Sequence, residues 1–190
     1  MRQLVIFLEE RSAKAMLDGL LPRVIPAGVT YRCIPFEGKQ DLDKQIERRL
    51  RGWIQPATAF LILRDQDASD CKVLKQGLGQ KAANANRPDT VIRIACRELE
   101  SWYFGDLEAV EKALEIPKLL RHANKRQYRT PDGIVSPSQE LEKITSGLYQ
   151  KTSGSRAIGK YLTPDRNTSA SFQVFLQGLE KAIATIPIES

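Results

Sequence analysis

Hydrophobic and polar positions switch between two periods along the first two thirds of the chain, and the switching predicts its elements. Leu4 to Leu8 is a short unbroken apolar run that stops at Glu9, the pattern of a strand buried on both faces. Helical spacing follows. Ala13, Met16, Leu17, Leu20, Leu21 and Val24 share one face, with Ser12 placed as N-cap and Pro26-Ala27-Gly28 as the stop. Val29 to Phe36 reads as a second strand, and Asp41 to Ile54 as a helix with Leu42, Ile46, Leu50 and Trp53 on its apolar side. Ala57 to Leu63 is the strongest buried-strand signal, and it runs directly into Arg64-Asp65-Gln66-Asp67. A third helix, weakened by Gly77 and Gly79, starts after Ser69. Thr90 to Cys96 is the fourth strand, followed by Arg97-Glu98-Leu99-Glu100 and a helix carrying Leu99, Trp102, Tyr103, Leu107, Val110 and Leu114.

Strand and helix alternate through this region, which predicts an α/β fold: a Rossmann-like parallel four-stranded sheet with helices on both faces and right-handed crossovers. After Ile116 the rhythm stops. Residues 117–137 carry Pro117, Pro131-Asp132-Gly133 and Pro137, so a long irregular connection is expected. Two or three helices then close the chain, the last with Phe172, Phe175, Leu176, Leu179 and Ile183 at helical spacing. The division expected is an α/β domain over 1–116, with a basic connection and C-terminal helices, 117–190, packed on it.

Composition removes several classes. With 42% hydrophobic and 27% charged residues the chain has the balance of a globular protein, and no apolar run nears the roughly 20 residues that cross a bilayer. The first apolar run lacks a small-residue cleavage site and predicts a strand, not a signal peptide. Cys33, Cys71 and Cys96 are far apart and form no CxxC pair, which argues for reduced thiols in a cytoplasmic protein and against a disulfide framework or zinc knuckle. Cys33 and Cys96 are expected as small core residues. A single histidine, His122, argues against a Ser-His-Asp triad and His-rich metal sites.

The net charge of +6 is confined to one stretch: between Pro117 and Arg166 ten Lys/Arg face four Asp/Glu, and the other parts of the chain sum to zero. Such a basic third fits either a nucleic-acid footprint or a solvated face. On the first reading Lys125, Arg126 and Arg129 are the candidate nucleic-acid contacts, with Tyr128, Tyr149 and Tyr161 interleaved among the bases.

Ligands of open parallel sheets bind beyond the carboxyl ends of the strands. Three of the four predicted strands end in acids: Glu9 and Glu10, then Asp65 and Asp67 with Asp70 a turn later, then Glu98 and Glu100. In a 2-1-3-4 strand order these groups converge, and crowded carboxylates are unfavourable unless a cation joins them. The D-x-D spacing sets Asp65 and Asp67 on the same side of an extended segment. All candidate ligands are oxygen donors, which suits Mg²⁺ or Mn²⁺ rather than zinc.

This layout resembles the Toprim domain of type IA and type II topoisomerases, DnaG-type primases and the nucleases related to OLD (overcoming lysogenization defect) proteins. Leu8-Glu9-Glu10-Arg11-Ser12, Leu63-Arg64-Asp65-Gln66-Asp67, Arg97-Glu98-Leu99-Glu100-Ser101-Trp102 and Ser169-Ala170-Ser171-Phe172-x-x-Phe175 are similar to a group of small Toprim-like bacterial and archaeal proteins, often encoded beside ABC-type or OLD-like ATPases. The resemblance implies a Toprim-like fold, metal held by Glu9, Asp65, Asp67, Glu98 and Glu100, catalysis by Glu9, Asp65 and Asp67, an ATPase partner and a role in genome or phage defence. One departure is visible: Glu10 and Ala13 stand where that pattern has Gly and a further acid.

Three functions compete at this point. A metal-dependent nuclease would use the cation to polarise phosphate and activate water, with Glu9 as general acid or base. A non-catalytic module would bind nucleic acid or an ATPase through the same fold. A receiver domain would need a fifth strand followed by a lysine, and neither is evident. Trp53, Trp102 and Tyr103 sit at helical spacing and are expected in the core.

Overall fold

The computed structural model describes residues 2–187. The α/β part comprises β1 (Arg2–Leu8), α1 (Arg11–Val24), β2 (Val29–Pro35), α2 (Lys39–Arg51), β3 (Thr58–Asp65), α3 (Cys71–Asn84) and β4 (Val91–Ala95). There follow α4 (Glu100–Phe104), α5 (Leu107–Leu114), three 3-10 turns between Leu119 and Gly133, α6 (Pro137–Ile144), α7 (Lys151–Gly159) and α8 (Ala170–Ala184). All four strands are parallel, in the order β2-β1-β3-β4, so the expected sheet and its order are present.

Period-two alternation assigns each strand residue to a face. Leu4, Ile6 and Leu8 join Leu61 and Leu63 in a core shared with α1, α4, α5, α7 and α8. Val5, Phe7, Phe60 and Ile62 pack on the other face against Leu42, Ile46 and Leu50 of α2 and Leu78 and Ala82 of α3. The first core is larger because the C-terminal helices build it outward. Trp102 lies between Phe172 and Phe175 of α8, with ring centroids 5.2 and 5.0 Å away. Helix α7 lies along α1 at a glycine contact: a Cβ on Gly19 would come within 2.7 Å of the Gly159 carbonyl carbon, and one on Gly159 would collide with the Met16 backbone. Removing both side chains lets the two helices touch backbone to backbone.

Several local expectations are corrected. Ser12 lies inside α1, and Glu10 is the N-cap, with no side-chain cap bond; the Ser12 hydroxyl instead donates to Glu10 Oε2 at 3.2 Å. Trp53 follows α2 and stands edge-on to Phe60. The single helix expected after β4 is two, because Asp106 restarts it by accepting the Ala109 N–H at 3.2 Å. Tyr128 and Tyr149 are buried, so of the interleaved tyrosines only Tyr161 is exposed and able to offer a stacking face. Cys33 and Cys96 are only partly buried, though burial still pushes the Cys33 thiol up to about 12.

Candidate functional site

Strand order reverses between β1 and β3: the chain leaves β1 toward β2 on one side and β3 toward β4 on the other. That reversal opens a crevice at the carboxyl ends of β1 and β3, where ligands of such sheets bind. Leu8 is level with Leu63, so Glu9 emerges beside Arg64 on the α2/α3 face, and Asp65, one residue further along, on the other face. The Asp65 N–H donates to Glu9 Oε2 at 3.2 Å.

From there the acids divide between the two faces of the sheet. On the α2/α3 flank, Glu9 is buried and 3.8 Å from Arg64 Nε, while Arg64 Nη1 donates to both oxygens of Asp43 at 2.8 and 2.9 Å. Burial holds Glu9 above the usual carboxylate range; the Asp65 N–H and Arg64 oppose this and Asp67 adds to it, but desolvation wins. Asp67 reaches toward Glu9 from the next loop and pairs with Lys39 Nζ at 2.8 Å. That bond raises the Lys39 ammonium above its ordinary value.

On the α1/α7 flank, Asp65 keeps a minor part of its surface open to water and is otherwise enclosed by protein. Its carboxyl lies well above the ordinary value, through burial first and then the charges of Glu100, Glu9 and Glu10. Glu100 is fully buried at the start of α4. Its Oε1 accepts the Tyr149 hydroxyl at 2.7 Å, and its Oε2 has no hydrogen-bond partner. Burial raises Glu100 despite that hydroxyl. Lys151, the first residue of α7, pairs with Glu10 at 2.7 Å; burial works against its charge, but Glu10, Glu100 and Asp65 together raise it.

The remaining candidates lie elsewhere. Glu98 Oε2 accepts the Ser138 N–H at 2.8 Å, so it caps α6 from across the chain where Ser136 makes no side-chain cap. Asp70 caps α3 through the N–H groups of Lys72 and Val73. Lys125, Arg126 and Arg129 are exposed on the 3-10 turns after α5, and Arg129 Nε donates to the Asn124 carbonyl at 3.1 Å. The sequence reading missed Lys39 and Lys151 as partners of the acids, and Tyr149, expected among the basic contacts, is instead bound to Glu100. Lys39 carried a signal, since it opens the helix after the remaining strand, β2, next to a glycine at φ 97°. Tyr149 and Lys151 carried none, because only tertiary packing brings them to the acids.

The connecting loops are held in an uncommon conformation. Asp67 and Arg97 both have positive φ, 52° and 61°, and the Asp67 N–H donates to the Arg97 carbonyl at 2.7 Å. Non-glycine residues in this region are uncommon and gather at functional loops. The donors suit a hard divalent cation: they are carboxylates, and one oxygen of buried Glu100 has no partner. Among the described residues, however, no three His, Cys, Asp or Glu side chains stand ready around one ion. Asp67 and Glu10 are turned instead to Lys39 and Lys151, which supply the positive charge that crowded acids require.

Fold and site together define an open, doubly wound parallel α/β protein with an acidic crevice at its topological switch point. The chain belongs to the family described as "Domain of unknown function (DUF4276)", whose profile matches residues 8–180. No curated protein matches it. Among solved structures, the C-terminal region of the OLD protein of Xanthomonas campestris pv. campestris aligns over 95% of this chain and 96% of that one, at 14% identity and a TM-score of 0.46.

Proposed function

We propose that this protein is a Mg²⁺- or Mn²⁺-dependent phosphodiesterase of Toprim type, most simply a nuclease. The observation that carries the reading is the juxtaposition of Glu9 and Asp65 at the switch point, both held above the ordinary carboxylate range, with Asp67 close enough to raise Glu9 further. Energetically unfavourable charge at the functional edge of an α/β sheet is what a cation site stores before its ion arrives.

In this reading Glu9, Asp65 and Asp67 hold the cation, with Glu100 behind Asp65. When bound, the ion supplies Lewis acidity toward a phosphodiester oxygen and lowers the pKa of an attacking water. The chain's own residues do the rest. Glu9, buried and held above the usual carboxylate range, is suited to exchange a proton. Lys39 and Lys151, released from Asp67 and Glu10, present ammonium groups to the phosphate on opposite flanks of the crevice. Arg64, fixed by Asp43, keeps Glu9 in place from behind.

Thermal melts in EDTA and in excess Mg²⁺ test the site without needing a substrate. An ion that binds only the folded state raises the melting temperature by mass action. The wild type is expected to gain stability in Mg²⁺ and Asp67→Asn to gain none, and cleavage of nucleic acid is expected to stop in EDTA. A wild type indifferent to both cations, or hydrolysis that survives chelation, overturns the reading. Activity that appears only with an ATPase partner fits it.

A further inference from the structure

Charge summed along the sequence places the basic excess in the C-terminal third, but charge gathered by the fold points elsewhere. Helix α3, residues 71–84, carries Lys72, Lys75 and Lys81 and no carboxylate within its length. Asp70, just ahead of it, uses one carboxylate oxygen to accept the first-turn N–H groups of Lys72 and Val73. Lys81 is committed to the Asp43 carbonyl at 2.9 Å. Lys72 and Lys75 are exposed and have no ion-pair partner among the described residues.

Their position matters as much as their charge. In a parallel sheet the helix after β3 starts at the carboxyl end of that strand, so Lys72 and Lys75 stand on the edge that carries Asp65 and Asp67. The loop after β4 is stitched to the same place: the Arg97 N–H donates to Gln66 Oε1 at 3.1 Å, and the Asp67 N–H donates to the Arg97 carbonyl at 2.7 Å. Arg97 is held at φ 61° and its guanidinium has no partner among the described residues. Between the lysines Val73 is 66% exposed, an apolar side chain turned to solvent in the first turn of the helix. One turn further, Gly77 faces open space, so no internal contact calls for a glycine there, although glycine inside a helix is destabilising relative to alanine. A smooth, acid-free helix face suits a partner that approaches closely and is itself anionic.

The C-terminal third is less free than its sequence suggests. Lys143, Lys151 and Arg166 are drawn into ion pairs with Glu140, Glu10 and Asp106.

We propose that Lys72 and Lys75 of α3, together with Arg97, form a track for the phosphate backbone of a nucleic acid that leads into the acidic crevice. This rests on the phosphodiesterase reading and names its substrate class and the surface that receives it. Each backbone phosphate neutralised releases counterions, so the track has a measurable signature in salt.

The test is fluorescence anisotropy of labelled duplex and single-stranded DNA in EDTA, over a range of salt, with the full chain. Compared are the wild type, Lys72→Gln/Lys75→Gln/Arg97→Asn, and Lys125→Gln/Arg126→Gln/Arg129→Gln. Asparagine is chosen at 97 because it tolerates positive φ. The track variant is expected to bind at least tenfold more weakly at low salt, with the slope of log affinity against log salt reduced by about 2 to 3, while the second variant stays within threefold of wild type. Loss confined to the second variant overturns the track in favour of the C-terminal third, and a wild type that binds neither DNA also overturns it. Either failure is separable from failure of the metal site, which the Mg²⁺ melts of wild type and Asp67→Asn decide without nucleic acid.

Discussion

On the α2/α3 flank of the crevice, Glu9 and Asp67 stand beside Arg64 and Lys39, and the Lys39–Asp67 pair is open to water at 52% and 36% side-chain exposure. On the α1/α7 flank, Asp65 and fully buried Glu100 face each other with a tyrosine hydroxyl and one lysine that is paired elsewhere. Like side chains thus meet two different environments. The first is an ion-pair network in which cations offset the acids in part, burial still holding Glu9 above the usual carboxylate range. The second is desolvated, so its cost is carried as raised pKa values and a partnerless oxygen.

The largest effect is expected from breaking the first flank at its buried cation. Arg64 is 8% exposed and holds Asp43 and Glu9 together. Removing one partner of a buried pair leaves the other uncompensated; because Asp43 remains partly open to water, Arg64→Ala is expected to cost about 2–3 kcal/mol in urea denaturation. A loss below about 0.5 kcal/mol, the range of ordinary surface changes, would mean that Arg64 is a passenger.

The second flank responds in the opposite direction. Glu100→Gln keeps the shape and the Tyr149 hydrogen bond while removing a buried charge, and is expected to stabilise the metal-free protein at neutral pH by on the order of 1 kcal/mol. Its pH profile sharpens the point. Glu9, Asp65 and Glu100 have folded-state pKa values above their unfolded ones, so the folded protein binds more protons between the two. Stability is therefore fullest below the ordinary carboxylate range and falls as pH rises through the raised values. Asp41 and Glu108, held low chiefly by hydrogen bonds from Gln45 and Lys112, act with the opposite sign and only at more acidic pH. Urea midpoints across pH should show a shallower fall for Glu100→Gln; an unchanged slope would place the buried charge elsewhere.

The smallest effects belong to the exposed pair. Lys39→Ala and Asp67→Asn each remove a solvent-screened bond, worth about 0–1 kcal/mol. Asparagine also accepts the φ of 52° at position 67, so in EDTA that variant should melt close to wild type. With Mg²⁺ the two separate: Lys39→Ala, which frees Asp67, is expected to respond at lower Mg²⁺ than wild type, and Asp67→Asn not to respond. Equal Mg²⁺ responses would show that Asp67 takes no part.

The sequence by itself determined the sheet. Apolar runs at 4–8 and 59–63 become strands buried on both faces, because a parallel sheet covered by helices leaves no polar side for alternation to record. It also determined that acids follow β1, β3 and β4, since strand ends and helix starts are local features. It did not determine where those acids point. Glu9 and Asp65 lie on opposite faces of the sheet and meet only through the Asp65 N–H, and Glu98 leaves the group to cap α6. Such choices depend on partners distant in sequence: Tyr149 meets Glu100 49 residues away, and Lys151 reaches Glu10 only because Gly19 and Gly159 let α7 lie against α1. Periodicity records which face of an element is apolar, whereas the sign and solvation of charge at the crevice are set by packing between elements, which no single segment encodes.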